Sequence, residues 1–193
     1  MLTVIPFRAG GKSRLPEELR REVALAMLGD VVEAAASTGD VRVVTSDAAG
    51  RLVATDLGAE VVGDPGEGQG AAVAAALEGA QGLCLVVNAD LPRVRPSDLN
   101  ALAVPALLGK LGLVPGRDGT TNALGLPSAG VFAPLYGPGS AGQFRAHASA
   151  LGLDFEELTL SSLVDDVDTL LDLERVGARP GTRTAELLDA ITP

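Results

Sequence analysis

The chain holds one cysteine and one histidine, and it is short of cations: Lys and Arg number 15 against 25 Asp and Glu. A single thiol excludes an intramolecular disulfide, and Cys84, set in an apolar run, reads as a small core residue with no chemical role. A single imidazole, His147, excludes a metal site built from histidines and leaves that residue a surface or packing role. The net charge of -10 repels polyanions, so nucleic acid is not an expected partner. No apolar stretch approaches the roughly 20 residues that span a bilayer, and Met1 to Leu15 lacks the charged start and long apolar centre of a secretory signal. No membrane association, and residence in the cytoplasm, are therefore expected. Internal repeats are missing too, as is any linker long enough to separate one domain from another. With 47% apolar content over 193 residues, enough to bury one core, residues 1–193 are expected to form a single domain.

What is present is organised around Leu83-Cys84-Leu85-Val86-Val87-Asn88-Ala89-Asp90-Leu91-Pro92. Its uncharged run reads as a strand buried on both faces, ending at Asn88, Asp90 and a proline. Open α/β sheets place ligand chemistry where strand ends meet a crevice, which makes Asp90 the first candidate for a functional group. Around it, apolar strands at Leu2–Pro6, Val41–Thr45, Glu60–Val62 and Leu111–Val114 alternate with segments of helical periodicity, so a mostly parallel sheet flanked by helices is expected. Helices are predicted from Pro16 to about Gly39, in a short stretch after Asp47 that contains Arg51–Leu57, over Ala71–Ala80, from Pro96 to about Leu108, from Ser140 to Leu151, and over Leu170–Val176 and Thr184–Ile191. Ala123–Leu126 is expected as an edge strand and Asp154–Leu160 as the last strand.

Four loops carry the remaining candidates. Arg8-Ala9-Gly10-Gly11-Lys12-Ser13-Arg14 is a basic loop between a strand and a helix, a common way to hold phosphates, although the glycine spacing of the Walker motif is missing. Gly63-Asp64-Pro65-Gly66-Glu67-Gly68-Gln69-Gly70 either brings backbone close to a flat or charged ligand or simply turns the chain. Leu135-Tyr136-Gly137-Pro138-Gly139-Ser140 is a second glycine-rich loop, with Ser140 placed to cap the following helix; a hydroxyl and free N–H groups there also suit a phosphate or carboxylate. In Asp165-Asp166-Val167-Asp168-Thr169 the carboxylates repel one another unless solvated or bound to a cation. In an extended segment Asp166 and Asp168 share a side, which suits oxygen ligation of a hard metal; for Asp168 and Thr169 a plain helix start is the competing account.

Taken together, Val4-Ile5-Pro6 with Lys12-Ser13-Arg14-Leu15, Asn88-Ala89-Asp90-Leu91-Pro92, Thr120-Thr121-Asn122-Ala123-Leu124, Phe132 with Tyr136-Gly137-Pro138-Gly139-Ser140, and Asp165-Asp166-Val167-Asp168-Thr169 resemble, in order and over about residues 4 to 175, the guanylyltransferases of coenzyme F420 biosynthesis. The chain departs from that family at Arg8, where Lys is common, at Val87-Asn88, where Leu-Pro is common, and in a looser Gly66–Gly70 segment. The resemblance implies a single-domain α/β fold like that of the nucleotide-diphospho-sugar transferases, with a mixed sheet, acting on GTP with Mg2+. It implies that Asp90, Asp166 and Asp168 are metal ligands and that Thr121, Gly137 and Ser140 bind the phosphorylated acid. Gly68 and Gln69 become candidates for nucleotide contact. Lys12 and Arg14 become candidates for nucleotide binding and catalysis at the departing pyrophosphate, with Asp90 catalytic through its metal. The implied acceptor is phosphoenolpyruvate or 2-phospho-L-lactate. An Ala- and Gly-rich, Lys-poor composition suggests a GC-rich bacterial genome, which favours phosphoenolpyruvate, since bacterial members of the family are similar to users of that acid. Other acceptors of the same fold class, such as a sugar phosphate or molybdopterin, are the alternative. A labile diphosphate product would suit hand-over to a downstream transferase of the F420 pathway.

Overall fold

A computed structural model describes residues 1–9, 17–177, 179 and 182–191. The backbone forms one seven-stranded sheet, in the order β3-β2-β1-β4-β6-β5-β7. Its strands are β1 (Leu2–Pro6), β2 (Asp40–Val44), β3 (Glu60–Val62), β4 (Cys84–Val87), β5 (Leu111–Pro115), β6 (Thr121–Leu126) and β7 (Phe155–Glu157). β1 pairs in parallel with β2 and β4, β2 with β3, and β5 with β7, while β6 runs antiparallel to both β4 and β5.

The helices are α1 (Glu17–Ala36), α2 (Ala48–Asp56), α3 (Gln69–Leu77), α4 (Pro96–Leu107), α5 (Ser140–Ala150), α6 (Leu170–Val176) and α7 (Arg183–Ile191). Side chains alternate across each strand, so the sheet has two cores. Ile5, Leu85, Val87, Val114 and Ala123 pack with α1 and α4 on one face, and Val4, Val86, Leu113, Leu124 and Leu126 with α3 and α5 on the other. On α1 the buried positions Val23, Met27, Leu28, Val31 and Ala35 recur at helical spacing. The same helix holds the C-terminal region: the buried carboxylate of Asp30 accepts the backbone N–H groups of Arg183 at 2.8 Å and Thr184 at 3.1 Å, satisfying amides in the first turn of α7 that have no partner within the helix.

Two expectations need correction. The segment expected at the sheet edge is instead β6, buried along its whole length between β4 and β5. Where a strand sits in a sheet depends on distant partners, and Ala123 and Leu124 each find a core on opposite faces. Ser140 does not cap α5. Gly139, with φ of 70°, occupies the cap position, which frees the Ser140 hydroxyl to donate to Thr121 Oγ1 at 3.0 Å. The helix expected to contain Arg51–Leu57 is α2, which starts at Ala48 because Asp47 caps it by accepting the Gly50 N–H at 2.7 Å. His147 takes a packing role, its Nε2 lying 2.9 Å from the carbonyl oxygen of Val131.

The antiparallel run of β6 is what positions the site. Val87 pairs with Ala123, so the start of β6 lies beside the end of β4, and the ladder continues past both with the Asn88 N–H donating to the carbonyl of Asn122 at 3.0 Å. The ends of β1 and β4, the start of β6 and the turn before α3 thus gather at one edge of the sheet.

Candidate active site

Asp90 lies just beyond β4, and its backbone carbonyl accepts the N–H of Val167 at 3.1 Å. Val167 is buried with Val23, Met27 and Leu173, which pins the extended segment before α6 against α1. With Val167 turned inward, Asp166 and Asp168 fall together on the side of Asp90. One carboxylate oxygen from each of Asp90, Asp166 and Asp168 lies within 4.8 Å of the others; the first two residues are half-buried and the third is exposed. Three oxygen donors of one charge, with no sulfur or imidazole among them, form a donor set suited to a hard divalent cation such as magnesium or calcium.

The neighbouring carboxylates have different partners, which separates structure from site. Asp165 is bound by Arg117 from the β5–β6 turn and by Arg175 of α6, the latter at 3.1 Å. The Arg117 guanidinium, seconded by Arg175, holds the Asp165 carboxyl below the usual carboxylate range. Thr169 caps α6: its hydroxyl accepts the Asp172 N–H at 3.0 Å, and Asp172 Oδ2 accepts the Thr169 N–H at 2.9 Å. The helix-start account therefore applies to Thr169, while Asp168 faces the acidic cluster.

Asp90 and Asp168 line a cleft of about 240 Å³ with Phe7, Arg8, Asp64, Gln69 and Asn88. Arg8 and Asp64 make a two-pronged ion pair at 2.6 and 2.9 Å, and Arg8 together with the N–H of Gly66 keeps the Asp64 carboxyl below its ordinary pKa. Gln69 opens α3 directly after Gly68, whose φ of 99° only glycine adopts readily. Its Nε2 donates to Asn88 Oδ1 at 2.8 Å, and Asn88 Nδ2 donates to the carbonyl of Thr121 at 3.2 Å.

Thr121 and Ser140 are both buried and joined through their hydroxyls, next to the half-exposed Gly137. Neither hydroxyl-bearing residue lines the described cleft. Below their loop, Tyr136 packs edge-on against Phe144 with ring centroids 5.5 Å apart and against Phe132 at 6.2 Å, and burial pushes the Tyr136 phenol well above its usual pKa. Lys12 and Arg14 lie outside the described residues.

Sequence reasoning missed three contributors. Asn122 donates through Nδ2 to the carbonyls of Leu163 and Val164, both at 3.0 Å, holding the strand of chain that delivers Asp166. Asn88 and the Arg8–Asp64 pair were the others. Asn88 and Asn122 stand inside recognisable motifs, yet their side-chain partners lie 19 to 44 residues away, so the sequence carries no local signal of them.

This sheet with its acidic cluster at the strand ends defines an α/β protein of the nucleotide-diphospho-sugar transferase fold. Such a fold is seen in a Desulfovibrio desulfuricans protein named for those transferases, which superposes with a TM-score of 0.80 over 98% of this chain and 94% of that one at 15% identity. The model of the family described as "Guanylyl transferase CofC like" matches residues 1–189, and the chain belongs to that family. It is 38% identical to the phosphoenolpyruvate guanylyltransferase of Nocardia farcinica, over 89% of this chain and 83% of that protein. To the 2-phospho-L-lactate guanylyltransferase of Natrialba magadii it is 32% identical, over 91% and 83%. No helix among the described residues is long and apolar enough to cross a membrane.

Proposed function

We propose that this protein transfers GMP from GTP to the phosphate of phosphoenolpyruvate, forming enolpyruvoyl-2-diphospho-5'-guanosine and releasing pyrophosphate, a step of coenzyme F420 biosynthesis. The observation that carries this is the convergence of Asp90, Asp166 and Asp168 on oxygens within 4.8 Å of one another, in a chain of guanylyl transferase family. A phosphate oxygen of the acid attacks the α-phosphorus of GTP, a P–O bond forms, and the bond to the β-phosphate oxygen breaks. The acid's phosphate is already ionised at neutral pH, so no general base is needed, in keeping with a site that offers no histidine.

Asp90, Asp166 and Asp168 would hold Mg2+, which when bound supplies the positive charge that lets one anion approach another. Lys12 and Arg14 neutralise the pyrophosphate as it leaves, the first as a point charge and the second as a fork. Gly68 and Gln69 bind the nucleotide. Gly137 offers the acid a backbone N–H, a neutral grip that adds no further charge to the crowd, while the buried hydroxyl pair of Thr121 and Ser140 holds that binding loop in place. The chain works as one domain over its 193 residues, in the cytoplasm, and passes its labile product to a downstream transferase.

Likeness to the Natrialba magadii protein supports 2-phospho-L-lactate as the second acceptor. A panel of phosphoenolpyruvate, 2-phospho-L-lactate and 3-phospho-D-glycerate, each with GTP or ATP and Mg2+ and with the product weighed by mass spectrometry, decides between them. The expected result is a GMP adduct of phosphoenolpyruvate. Pyrophosphate release with none of the acids would overturn the assignment.

A further inference from the structure

Asn88 lines the cleft, and its hydrogen bonds fix which way its side chain faces. Its backbone N–H donates to the carbonyl of Asn122 at 3.0 Å, which fixes where the side chain starts. Its Nδ2 donates to the backbone carbonyl of Thr121 at 3.2 Å. A carbonyl can only accept, so the amide of Asn88 cannot be turned over without setting oxygen against oxygen. Oδ1 must therefore face the other way, and there it accepts Gln69 Nε2 at 2.8 Å. An acceptor facing Gln69 in turn demands the NH2 end of that side chain. The end left over is Gln69 Oε1, for which no hydrogen-bond donor is found among the described residues. Gln69 lines the cleft beside Asp90 and Asp168.

We propose that Asn88 is a positioning residue for the nucleotide: it fixes the sense of the Gln69 amide so that Oε1 accepts a hydrogen bond from an N–H or O–H of the nucleoside. This deepens, and rests on, the proposal that a guanine nucleotide occupies the cleft. The chemistry of the two substrates selects the nucleoside. An ionised phosphorylated enol acid carries acceptors only, and so does a triphosphate. The donors in the reacting pair are confined to the ribose hydroxyls and the N–H groups of the base. A polarity set by the backbone of β6 is thus relayed through two side chains to the portion of the substrate that says which nucleotide it is. Glutamine presented the other way round would offer its NH2 where the nucleoside also offers donors, and binding would lose a bond instead of gaining one.

The test is a cycle of Gln69→Ala, Asn88→Ala and the double variant in the full chain. Steady-state kinetics are run with phosphoenolpyruvate, and GTP binding is followed by calorimetry with Mg2+ so that affinity is read without turnover. Each single change is expected to weaken GTP, as KM and as Kd, by about 5- to 10-fold, the scale of one neutral hydrogen bond, with kcat within twofold. Because Asn88 acts through Gln69, the double variant should be no weaker for GTP than Gln69→Ala alone. Asn88→Ser, too short to reach Gln69, should match Asn88→Ala and covers the case in which that variant folds poorly. In the wild type, one among 2'-deoxy-GTP, 3'-deoxy-GTP, ITP and N1-methyl-GTP should bind more weakly than GTP and lose that handicap in Gln69→Ala, which identifies the donor as a ribose hydroxyl or a base N–H. Fully additive effects, an unchanged GTP affinity in the Asn88 variants, or analogues that keep the same handicap in Gln69→Ala would each overturn the proposal while leaving the transferase assignment standing. A wild type that turns over no acid but still binds GTP with this pattern would sink the assignment and spare the proposal.

Discussion

Asn122 aims its side-chain nitrogen at Asp166, with Nδ2 at 3.4 Å from Oδ1, while the same NH2 binds the carbonyls of Leu163 and Val164. A buried residue of the central sheet thereby holds one of the three clustered carboxylates in place through the chain that precedes it. Changing Asn122 to Ala leaves buried carbonyls without donors, which should cost about 1–3 kcal/mol of stability. The Mg2+ concentration needed for half-maximal transfer should rise by about 10- to 100-fold, as for other groups that orient a metal ligand without touching the metal. Urea unfolding and a Mg2+ titration of the initial rate measure the two effects. A stability loss with an unchanged Mg2+ requirement would limit Asn122 to a structural role.

Crowding Asp90, Asp166 and Asp168 within 4.8 Å of one another places like charges side by side wherever no cation binds. Asp168 is the exposed member, so Asp168→Asn removes repulsion without opening a cavity. The metal-free variant is expected to melt at or above the temperature of the metal-free wild type, and added Mg2+ should raise the wild type's Tm but not the variant's. Transfer should fall by at least about 100-fold, as when an electrostatic stabiliser of the transition state is lost. Melting curves with and without Mg2+, beside a pyrophosphate release assay, supply both readings. An Asp168→Asn protein that keeps its rate would remove this residue from the metal site.

The features of this protein that could be read from residues alone are those decided within a few positions. Asp90 follows an uncharged strand, Asp166 and Asp168 share a side because Val167 between them is buried, and the helices declare their period. Strand order was not legible in the same way. Ala123 to Leu126 reads as a short apolar segment behind a polar turn, which suits an edge, yet β6 pairs with Cys84–Val87 on one side and Gly112–Pro115 on the other, inside the sheet. Ser140 has the chemistry of a helix cap, but a glycine ahead of it takes that position and a strand 19 residues back claims the hydroxyl. Arg8 and Asp64 lie 56 residues apart and meet only because β1 and β3 end on the same side of the sheet. Pairings of that kind carry no period and no spacing.

Asp64 and Asp165 each bind arginine, and both carboxyls are held below the ordinary value in the folded protein, chiefly by Arg8 and Arg117. A folded pKa below the unfolded value of about 3.9 means that the unfolded chain takes up protons first as pH falls. The stabilisation is complete above that value and is lost as pH drops through the folded pKa. Wild-type stability should therefore fall steeply below about pH 4. Asp165→Asn should be less stable near neutrality and should lose less on acidification. The urea midpoint followed from pH 6 to pH 2 tests this, and parallel curves for wild type and variant would count against the pairing.

Gly70 lies one residue past Gln69, in the first turn of α3, pressed against the chain that leads into the Gly137–Ser140 loop. A Cβ at position 70 would come within 2.6 Å of Pro134 Cβ and 2.8 Å of its Cα. No such contact is tolerated, and a proline backbone cannot swing aside as the end of a long side chain could. Gly70→Ala must therefore push α3 and the 134–140 segment apart, at a cost of about 1–3 kcal/mol for an overpacked contact. Because α3 begins with Gln69 and the displaced segment runs on to Gly137 and Ser140, the same shift should raise KM for both GTP and the phosphorylated acid. Asn122→Ala, in contrast, is expected to act on the Mg2+ requirement. Steady-state kinetics with each substrate varied in turn separate the two patterns. A Gly70→Ala protein with wild-type stability would mean that the close approach of α3 to Pro134 does not exist in solution.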